Sequence, residues 1–351
     1  MSAIFQKIDQ FQINETKTIS YCVKKFSKIK FKTLFVVDDY NKLIGSLTKG
    51  DIRRGLMDSD KDDKVINICN QSPFILNQNI KIEPAIISEI MKFNSIYEIP
   101  IVDSKGILVE VLTINNTKSF SKIDNTFFIL AGGKGKRMLP LTKEIPKPMA
   151  RINGVPMLEH IILKAKEEGF VNFTISIGYL GEQIKNYFKD GTSFDVNISY
   201  VEESEPLGTA GSLSILSSLK VNYPIIITNG DVISKINYKD LLVYHNKKKS
   251  IATMVVKSFE LQNPFGVIKL KDQKIIALQE KPLYKSLING GLYALSKDAH
   301  ALIPKNKFYN MTSLFEKLIK DNFNVMAYGM FEEWNDIGNI EELNKLNKNN
   351  E

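Results

Sequence analysis

A tandem repeat in the first third of the chain is the feature that most limits what the chain can fold into. An offset of 65 residues aligns Val36–Asp38 with Ile101–Asp103 and Leu47–Thr48 with Leu112–Thr113. In each copy, apolar residues at helical spacing precede two strands that are joined by a polar turn, LFVVDDYNKLIGSLT and IPIVDSKGILVEVLT. Each copy is too short to bury its apolar face alone, so we expect the two copies to pack against each other.

This repeat resembles the CBS domain pair, a module of two β-α-β-β-α units that commonly binds adenine nucleotides in a cleft between them. The resemblance covers roughly residues 10–118. In the segment TKGD it implies that Thr48 and Asp51 contact the phosphate and the ribose hydroxyls of the ligand. The second copy has Asn116 in place of the carboxylate, so we expect one good site at most. The alternative is that Asp51 only caps the helix that begins IRRGLM, since aspartate is a favoured N-cap.

The pattern changes at Thr126, and a chain of 351 residues is long enough for two compact domains. From there, short apolar strands such as FFILA and PIIITNGD alternate with helical stretches such as MLEHIILKAKEEGF. This alternation predicts an α/β domain with a mostly parallel central sheet, whose ligands bind at the carboxyl ends of the strands. We therefore predict an N-terminal module at 1–118, a polar linker at 119–125 and a Rossmann-like domain at 126–351.

Composition and charge narrow the partners of this chain. With 43% apolar and 25% charged residues, its composition is that of an ordinary globular protein. The formal charge is +8, but the lysines are scattered and alternate with acids, so we expect no nucleic-acid partner. No apolar run is long enough to span a membrane and the N-terminus lacks a secretory signal, so we expect no membrane partner and a cytoplasmic location. Cys22 and Cys69 are expected to be buried, reduced thiols.

A glycine-rich loop, LAGGKGKRM, follows the first strand of the predicted α/β domain. Its glycines let backbone N–H groups close around phosphate oxygens without interference from Cβ atoms, and Arg137 adds a fixed fork of donors. The loop is not a Walker A motif, because no second glycine is followed by Lys-Ser or Lys-Thr at the required spacing. It is not a dinucleotide fingerprint either, because Met138 occupies the position of the third glycine.

The longer segment ILAGGKGKRMLPLTKEIPKPMARINGVPMLEHIIL is similar to the nucleotidyltransferase family that activates sugar 1-phosphates. The family signature, Gly-Gly-x-Gly-x-Arg-Leu-x-Pro-Leu-Thr followed by Pro-Lys-Pro, is matched with Met138 in place of leucine. The resemblance implies that Arg137 binds the triphosphate and that Lys147, between two prolines that stiffen the chain, contacts phosphate near the reacting centre. The further nucleotide contacts that it implies, from the glycine-rich loop and from the EPLGTAG and GEQI segments, are Ala131, Gly132, Gly133, Gly135, Gly208, Thr209 and Gln183.

The same resemblance implies a metal site and a sugar site. Asp231 and Asp336 correspond to the paired carboxylates that hold Mg²⁺, an ion that prefers hard oxygen ligands, although each aspartate alone is more often a turn or cap residue. Three downstream motifs, NPFGV, EKP and NGGLY, resemble the loops that contact the sugar and its phosphate. The residues that these motifs contribute are Gly266, Glu280, Lys281, Asn289 and Gly291. The histidines match no metal-ligand spacing, and we expect them to be structural or at the surface.

Together these motifs imply a Mg²⁺-dependent enzyme that makes a nucleoside-diphosphate sugar from an NTP and a sugar 1-phosphate. With its N-terminal CBS pair the arrangement is most similar to the guanylyltransferases that form GDP-glucosamine for legionaminic acid, so GTP and glucosamine 1-phosphate are the expected pair. The alternatives are transferases for GDP-mannose, GDP-heptose or UDP-sugars, and a degenerate, nucleotide-sensing protein. The chain stops at Glu351 without hexapeptide repeats, so we expect no acyltransferase solenoid. We also expect a homo-oligomer built through the CBS pair.

Overall fold

The computed structural model describes residues 3–79, 84–93, 96–114 and 122–348, which form two compact units. Unit 1 comprises the described residues of 1–119 together with 258–287, and unit 2 comprises those of 120–257 and 288–351. Asn115 and Asn116, which were used in the comparison of the two repeats, lie outside the described residues. So do residues 119–121 of the predicted linker.

The N-terminal part of unit 1 contains the two predicted repeats. Its elements are β1 (Ala3–Gln6), β2 (Gln12–Asn14), α1 (Ile19–Lys28), β3 (Thr33–Val37), β4 (Leu43–Thr48), α2 (Lys49–Asp58), β5 (Leu76–Asn77), α3 (Pro84–Phe93), β6 (Glu98–Val102) and β7 (Leu108–Ile114). Strands β3 and β6 begin 65 residues apart, as do helices α1 and α3. Strands β2, β3 and β4 form one sheet, and β1, β7, β6 and β5 form the other.

The two repeats also share local details. In both, the antiparallel strand pair shifts register next to its final valine, at Val37 in the first copy and at Val102 in the second. In both, an aspartate closes the turn that follows: Oδ1 of Asp38 accepts the backbone N–H of Lys42 at 2.9 Å, and Oδ1 of Asp103 accepts that of Ile107 at 2.9 Å. The predicted internal repeat is therefore confirmed.

The rest of the chain supplies the larger sheet of unit 2 and a hairpin that belongs to unit 1. The strands are β8 (Ile123–Leu130), β9 (Arg151–Ile152), β10 (Val155–Pro156), β11 (Phe170–Ile177), β12 (Asn197–Glu202), β13 (Ile225–Asn229), β14 (Val232–Ser234), β15 (Ala252–Gln262), β16 (Val267–Lys271), β17 (Lys274–Gln279), β18 (Leu283–Leu295), β19 (Val325–Met330) and β20 (Trp334–Asp336). The helices are α4 (Met157–Glu167), α5 (Gly181–Phe188), α6 (Gly208–Gly211), α7 (Tyr238–Lys247), α8 (Lys297–Ala301), α9 (Met311–Lys320) and α10 (Ile340–Lys348).

The central sheet of unit 2 has the strand order β12-β11-β8-β13-β18-β15-β19. Strands β12, β11, β8 and β13 are parallel to their neighbours in this series, β15 is parallel to β19, and β18 is antiparallel to β13. The predicted fold class, an α/β protein with a CBS module and a mostly parallel Rossmann-like sheet, is therefore confirmed.

Strand β8 shows why helices cover both faces of the sheet. Phe127 and Ile129 point into a core that includes Leu158 of α4, whereas Phe128 points into a second core that includes Leu314 of α9. Successive side chains of a strand point to opposite faces, so the unbroken apolar run of residues 127–130 needs a core on each side. Within the described residues, no helix is long and apolar enough to cross a membrane.

Residues 258–287 form a segment that we call the arm, which belongs to unit 1. It consists of the end of β15, the hairpin of β16 and β17, and the beginning of β18. Strands β16 and β17 are antiparallel and form a separate two-stranded sheet. The arm contains the NPFGV and EKP motifs.

Candidate active site

The glycine-rich loop leaves β8 at Leu130 and is shaped by residues that tolerate no side chain. Gly135 has a φ of 60°, and a Cβ on it would lie 2.9 Å from the Cβ of Lys147. A Cβ on Gly132 would lie 2.8 Å from Oε1 of Glu203, whereas one on Gly133 would meet nothing within 4 Å. Glycine at 132 and 135 therefore lets the loop pack closely against its surroundings, while Gly133 faces open space.

A cavity of about 700 Å³ opens in unit 2 at the carboxyl ends of β8, β11, β12 and β13. Its position is where open α/β sheets bind their ligands. The predicted site residues that line it are Ala131, Gly132, Gly133, Gly135, Arg137, Lys147, Gly208, Thr209 and Asp231. Segments far apart in sequence, from the glycine-rich loop to the strand that precedes Asp231, are thus brought to one place.

Lys147 and Asp231 form an ion pair inside this cavity. The ammonium of Lys147 donates to Oδ2 of Asp231, and Lys147 is only 9% exposed. Pro146 has an extended backbone with φ −66°, and Lys147 begins a short 3-10 helix, so the side chain leaves a stiff segment of the chain. An incoming phosphate could therefore take the place of Asp231 beside Lys147, and a metal ion could take the place of Lys147 beside Asp231.

Asp336 is brought next to Asp231 by a short strand pair. Strands β14 and β20 are antiparallel with Val232 opposite Asp336, and the N–H of Ile337 donates to the carbonyl of Asp231 at 3.0 Å. Burial and, after it, the negative charge of Asp231 raise the pKa of Asp336, while Lys147 and Arg137 act in the opposite direction. Two carboxylates that repel each other in this way suit a divalent cation.

These two aspartates are the residues that could hold Mg²⁺. Among the described residues, no group of three or more His, Cys, Asp or Glu side chains is arranged to hold a metal ion. Mg²⁺ does not need such a cage, because it commonly takes one or two carboxylates and completes its shell with water and substrate phosphates. The donors present therefore fit the ion.

The GTAG segment forms a tight turn against residue 309. Gly208 has a φ of 76°, and a Cβ on it would lie 2.8 Å from the carbonyl oxygen of Tyr309. That carbonyl accepts the N–H groups of Ala210 and Gly211, both at 2.9 Å. The hydroxyl of Thr209 accepts the N–H of Met311 at 2.8 Å and so caps the first turn of α9. Gly208 and Thr209 line the cavity, but the threonine hydroxyl already has a structural partner.

Glu203 and Asn229 are among the residues that line the cavity and that the sequence did not single out. Glu203 follows β12, and its carboxylate accepts the hydroxyl of Ser176 and, at 3.0 Å, the N–H of Leu207. Asn229 ends β13, and its Oδ1 is buried with no hydrogen-bond partner among the described residues. Glu203 directly follows one strand, and Asn229 ends the strand that leads to Asp231. These places at the carboxyl ends of strands were the signal that could have found them.

Gln183 and the predicted sugar residues of the NGGLY motif do not line the cavity themselves. Gln183 is not among the residues that line the cavity; it borders a second depression and donates to the carbonyl of Glu144 at 2.8 Å. Oδ1 of Asn289 accepts the N–H of Gly291 at 3.0 Å, which closes a turn. Gly291 has a φ of 71°, and a Cβ on it would lie 2.8 Å from Nδ2 of Asn229. The NGGLY turn therefore abuts a residue of the cavity wall.

The remaining predicted sugar residues lie in the arm and contact one another. A Cβ on Gly266 would lie 2.9 Å from Oε2 of Glu280, so glycine there lets the NPFGV loop approach the EKP loop. The N–H of Asn263 donates to the carbonyl of Pro282 at 2.9 Å, which holds the two loops together. Lys281 has a φ of 42°, an uncommon backbone for a residue with a side chain.

Thr48 and Asp51 form a capping box at the start of α2. The hydroxyl of Thr48 accepts the N–H of Asp51 at 3.2 Å, and Oδ2 of Asp51 accepts the N–H of Thr48 at 2.7 Å. The guanidinium of Arg54 donates to Oδ1 of Asp51. The helix begins at Lys49 with Thr48 as its N-cap, so Asp51 takes part in the cap as the third helical residue and not as the N-cap that the alternative expected. Asp51 is 7% exposed, and a ligand that uses its carboxylate has to displace one of these partners.

Two family models match parts of this chain. Residues 127–351 match the family described as nucleotidyl transferase, and residues 9–58 match the CBS domain. The chain is 32% identical over 231 residues to a UTP–glucose-1-phosphate uridylyltransferase of Synechocystis sp., covering 60% of each protein. It is 32% identical over 198 residues to a D-glycero-alpha-D-manno-heptose 1-phosphate guanylyltransferase of Campylobacter jejuni, covering 56% of this chain and 85% of that one.

The solved structure of HddC from Yersinia pseudotuberculosis resembles this fold with a TM-score of 0.51 at 24% identity. The likeness covers 65% of this chain and all of HddC. The chain spans 60% of the length of the Synechocystis relative.

Proposed function

The chain belongs to the nucleotidyl transferase family, and on that premise we propose that it transfers a nucleoside monophosphate from an NTP to a sugar 1-phosphate, releasing pyrophosphate. The observation that carries this proposal is the cavity in which Arg137, Lys147 and Asp231 meet beside Asp336. Two cations and two carboxylates at the end of a parallel sheet suit a reaction between phosphates.

In the proposed reaction, an oxygen of the sugar phosphate attacks the α-phosphorus of the NTP. A new bond joins that oxygen to the α-phosphorus, the bond from the α-phosphorus to the bridging oxygen breaks, and pyrophosphate leaves with the electron pair. The attacking oxygen is already anionic at neutral pH, because the second pKa of a phosphate monoester is about 6. The reaction therefore needs no general base.

The histidines support this view of the chemistry. Each has a structural partner: a ring nitrogen of His160 contacts the carbonyl of Ile152 at 3.1 Å, that of His245 the hydroxyl of Thr253 at 2.9 Å, and that of His300 the carbonyl of Leu213 at 2.7 Å. None of the three is among the residues that line the cavity. The work left for the protein is alignment and neutralisation of charge.

Arg137 and Lys147 would bind the phosphates. The guanidinium of Arg137 lies beside Gly338, where a Cβ would be 3.2 Å from its Nη1, so it faces the end of β20 and Asp336. Lys147 would exchange Asp231 for a phosphate oxygen of the substrate. Asp231 and Asp336 would hold Mg²⁺, which supplies further positive charge to the phosphate oxygens when bound.

The backbone N–H groups of the glycine-rich loop, from Ala131 to Gly135, would contact the triphosphate. The arm would carry the sugar, with Glu280 on a sugar hydroxyl and Lys281 on its phosphate. Asn289 and Gly291 would continue that contact from their turn beside Asn229.

For the substrates we propose GTP and glucosamine 1-phosphate, as the arrangement of a CBS pair before this domain suggests. Glu203 supports the choice of GTP, because guanine presents two adjacent N–H donors to a carboxylate that lines the cavity, whereas uracil presents one. Each oxygen of Glu203 already accepts one hydrogen bond, from Ser176 or from Leu207, and would accept a second from the base. The Campylobacter relative named as a guanylyltransferase is consistent with this choice, and the product would serve the synthesis of legionaminic acid.

For the N-terminal module we propose one adenine nucleotide per chain at Thr48 and Asp51, and a homo-oligomer formed through it. A carboxylate can accept hydrogen bonds from both ribose hydroxyls. Asp51 would do so once Arg54 is displaced from it.

The test of substrate choice is a panel of GTP, UTP, CTP, ATP and dTTP against glucosamine, N-acetylglucosamine, glucose, mannose and heptose 1-phosphates, read as pyrophosphate release. We expect the highest kcat/KM for GTP with glucosamine 1-phosphate, and no release without Mg²⁺ or without the sugar phosphate. A site built for a hydrogen-bonding group rejects analogues that lack it by orders of magnitude. Equal or higher kcat/KM with UTP or with N-acetylglucosamine 1-phosphate would contradict the assigned pair, and no product with any pair would leave a nucleotide-sensing protein.

A further inference from the structure

The arm carries three of the proposed sugar contacts, Gly266, Glu280 and Lys281, yet it groups with the N-terminal module in one compact unit. Its two outer strands, β15 and β18, extend from the arm into the sheet of unit 2. Whatever holds these strands within unit 1 therefore also holds the loops between them.

Two reciprocal ion pairs hold them. Nζ of Lys61, from the module, lies 2.5 Å from Oε2 of Glu260 in β15. Nζ of Lys285 in β18 donates to Oδ2 of Asp60, the neighbouring residue of the module. The module thus supplies one acid and one base, and each arm strand supplies the opposite charge, across sequence separations of 199 and 225 residues.

The charged residues of the two pairs border a small cavity that also has apolar side chains in its wall. Leu56 and Met57 of α2 and Leu287 of β18 line the small cavity of about 390 Å³ that the charged residues border. The hydrogen bond to Lys285 lowers the pKa of Asp60, and the same bond raises the pKa of Lys285. One exposed ion pair fixes little, but two with opposite polarity specify how the strands lie.

We propose that Asp60 and Lys61, in the N-terminal module, are positioning residues for the sugar 1-phosphate, because they fix the arm strands whose loops present Gly266, Glu280 and Lys281. The proposal rests on the proposed function. Neither residue touches substrate in this account, so the effect of losing them falls on how the arm is placed.

Helix α2 gives this contact a second consequence. Asp51 lies in its first turn, the helix ends at Asp58, and the two positioning residues follow after Ser59. One rigid helix therefore joins the proposed nucleotide-binding carboxylate to the residues that hold the arm.

The experiment is a steady-state comparison of the full-length chain with the double variant Asp60→Asn/Lys61→Gln. The matched control is Asp58→Asn/Lys64→Gln, which removes the same charges from exposed neighbouring positions. We expect the KM for the sugar 1-phosphate to rise about three- to tenfold in the test variant, as for the loss of two exposed ion pairs. The KM for the NTP and kcat should stay within about twofold, and the control should match the wild type.

A charge exchange separates positioning from folding. Asp60→Lys alone should raise the sugar KM at least as far, and Asp60→Lys combined with Lys285→Asp should bring it back to within about twofold of wild type. An unchanged sugar KM in an active test variant, an equal rise in the KM for the NTP, or failure of the exchange to restore it would overturn the positioning role alone. A wild type that forms no nucleoside-diphosphate sugar from any pair would overturn the proposed function as well.

Discussion

Lys147 holds the positive charge that is most deeply set in the wall of the cavity. It is 9% exposed and paired with Asp231, so the charge is compensated before any substrate arrives. Burying a charge is costly unless a partner neutralises it, and removing one partner leaves the other uncompensated. The pair is therefore both a structural requirement and a ready receptor for phosphate and metal.

Removing any one of these charges should affect the reaction strongly. We expect Arg137→Ala, Lys147→Ala and Asp231→Asn each to lower kcat/KM by at least ~10²–10³, the typical cost of losing one group that stabilises charge in the transition state. Asp124→Asn, an exposed aspartate at the start of β8, is the control and should retain wild-type turnover. Near-normal turnover in all three test variants would refute the assignment of the site.

Alanine substitutions at Gly135 and Gly133, in the same loop, should have different effects on stability and on catalysis. In Gly135→Ala the new methyl group meets Lys147 and Thr142 at 2.9 Å in a left-handed backbone, so we expect lower thermal stability together with lower kcat. In Gly133→Ala it meets no protein atom within 4 Å, so we expect unchanged stability and a raised KM for the NTP, whose phosphates would occupy that space. Unchanged KM for the NTP in Gly133→Ala would place the phosphates elsewhere.

The sequence predicted the importance of a residue where that residue belongs to one continuous motif. Gly135 and Lys147 stand in one uninterrupted motif, so their importance could be inferred before any contact was known. For Glu203 the only signal was its place after a strand, because its partner Ser176 lies in another strand, 27 residues away. Gln183 was predicted as a nucleotide contact from the GEQI segment, but its side chain donates to the carbonyl of Glu144 and does not line the cavity.

Asp51 of helix α2 has one role in the structure and a second, proposed role in binding a ligand. As a cap, Asp51 satisfies backbone donors that the first turn would otherwise leave unpaired. As a proposed ligand contact, it would have to release Arg54, whose side chain is largely exposed. The two uses are compatible only if the ligand replaces Arg54 and leaves the bond to the N–H of Thr48.

Calorimetric titration with ATP, ADP and AMP examines this double use. We expect one nucleotide per chain, at least tenfold weaker binding in Asp51→Asn, and binding as tight or tighter in Arg54→Ala, which frees the carboxylate. Loss of the negative charge near the start of α2 should also cost about 0.3–1 kcal/mol of stability. No saturable binding, or binding that Asp51→Asn leaves untouched, would remove the nucleotide site and leave the module as a structural device.

At the level of elements, periodicity predicted most of what the structure contains. The 65-residue offset anticipated α1, β3 and β4 in one copy and α3, β6 and β7 in the other, because both copies bury the same apolar positions. The grouping of the arm with the module could not be anticipated. It includes ion pairs that join Asp60 and Lys61 to residues 225 and 199 positions away, which no local pattern encodes.

At the scale of the whole molecule, we expect one buried histidine, His245, to make the free energy of unfolding depend on pH. Burial lowers the pKa of His245 to about 4, below its ordinary value near 6.5. Between these values the unfolded chain binds a proton that the folded chain does not, so stability is full above pH 6.5 and falls as pH drops towards 4. This single group should cost about 2 kcal/mol at pH 5 relative to pH 7.

The measurement is the free energy of unfolding of wild type and His245→Gln at pH 7 and pH 5. The variant loses the bond from His245 to Thr253 and should be less stable at pH 7, but its stability should fall less on acidification. The quantity that reports on the histidine is the change in the free energy of unfolding between pH 7 and pH 5, not its value at either pH. Equal changes in the two proteins would show that His245 does not control the acid response.

The central claim, transfer of a nucleotidyl group to a sugar phosphate, is tested most directly by following two labels. With the preferred NTP and sugar 1-phosphate, label in the α-phosphate should appear in the nucleoside-diphosphate sugar, and label in the γ-phosphate should appear in pyrophosphate. Both should appear in equal amounts, only with Mg²⁺, and neither in Asp231→Asn. Transfer of the γ-label to the sugar, or release of pyrophosphate in the absence of sugar 1-phosphate, would contradict the account.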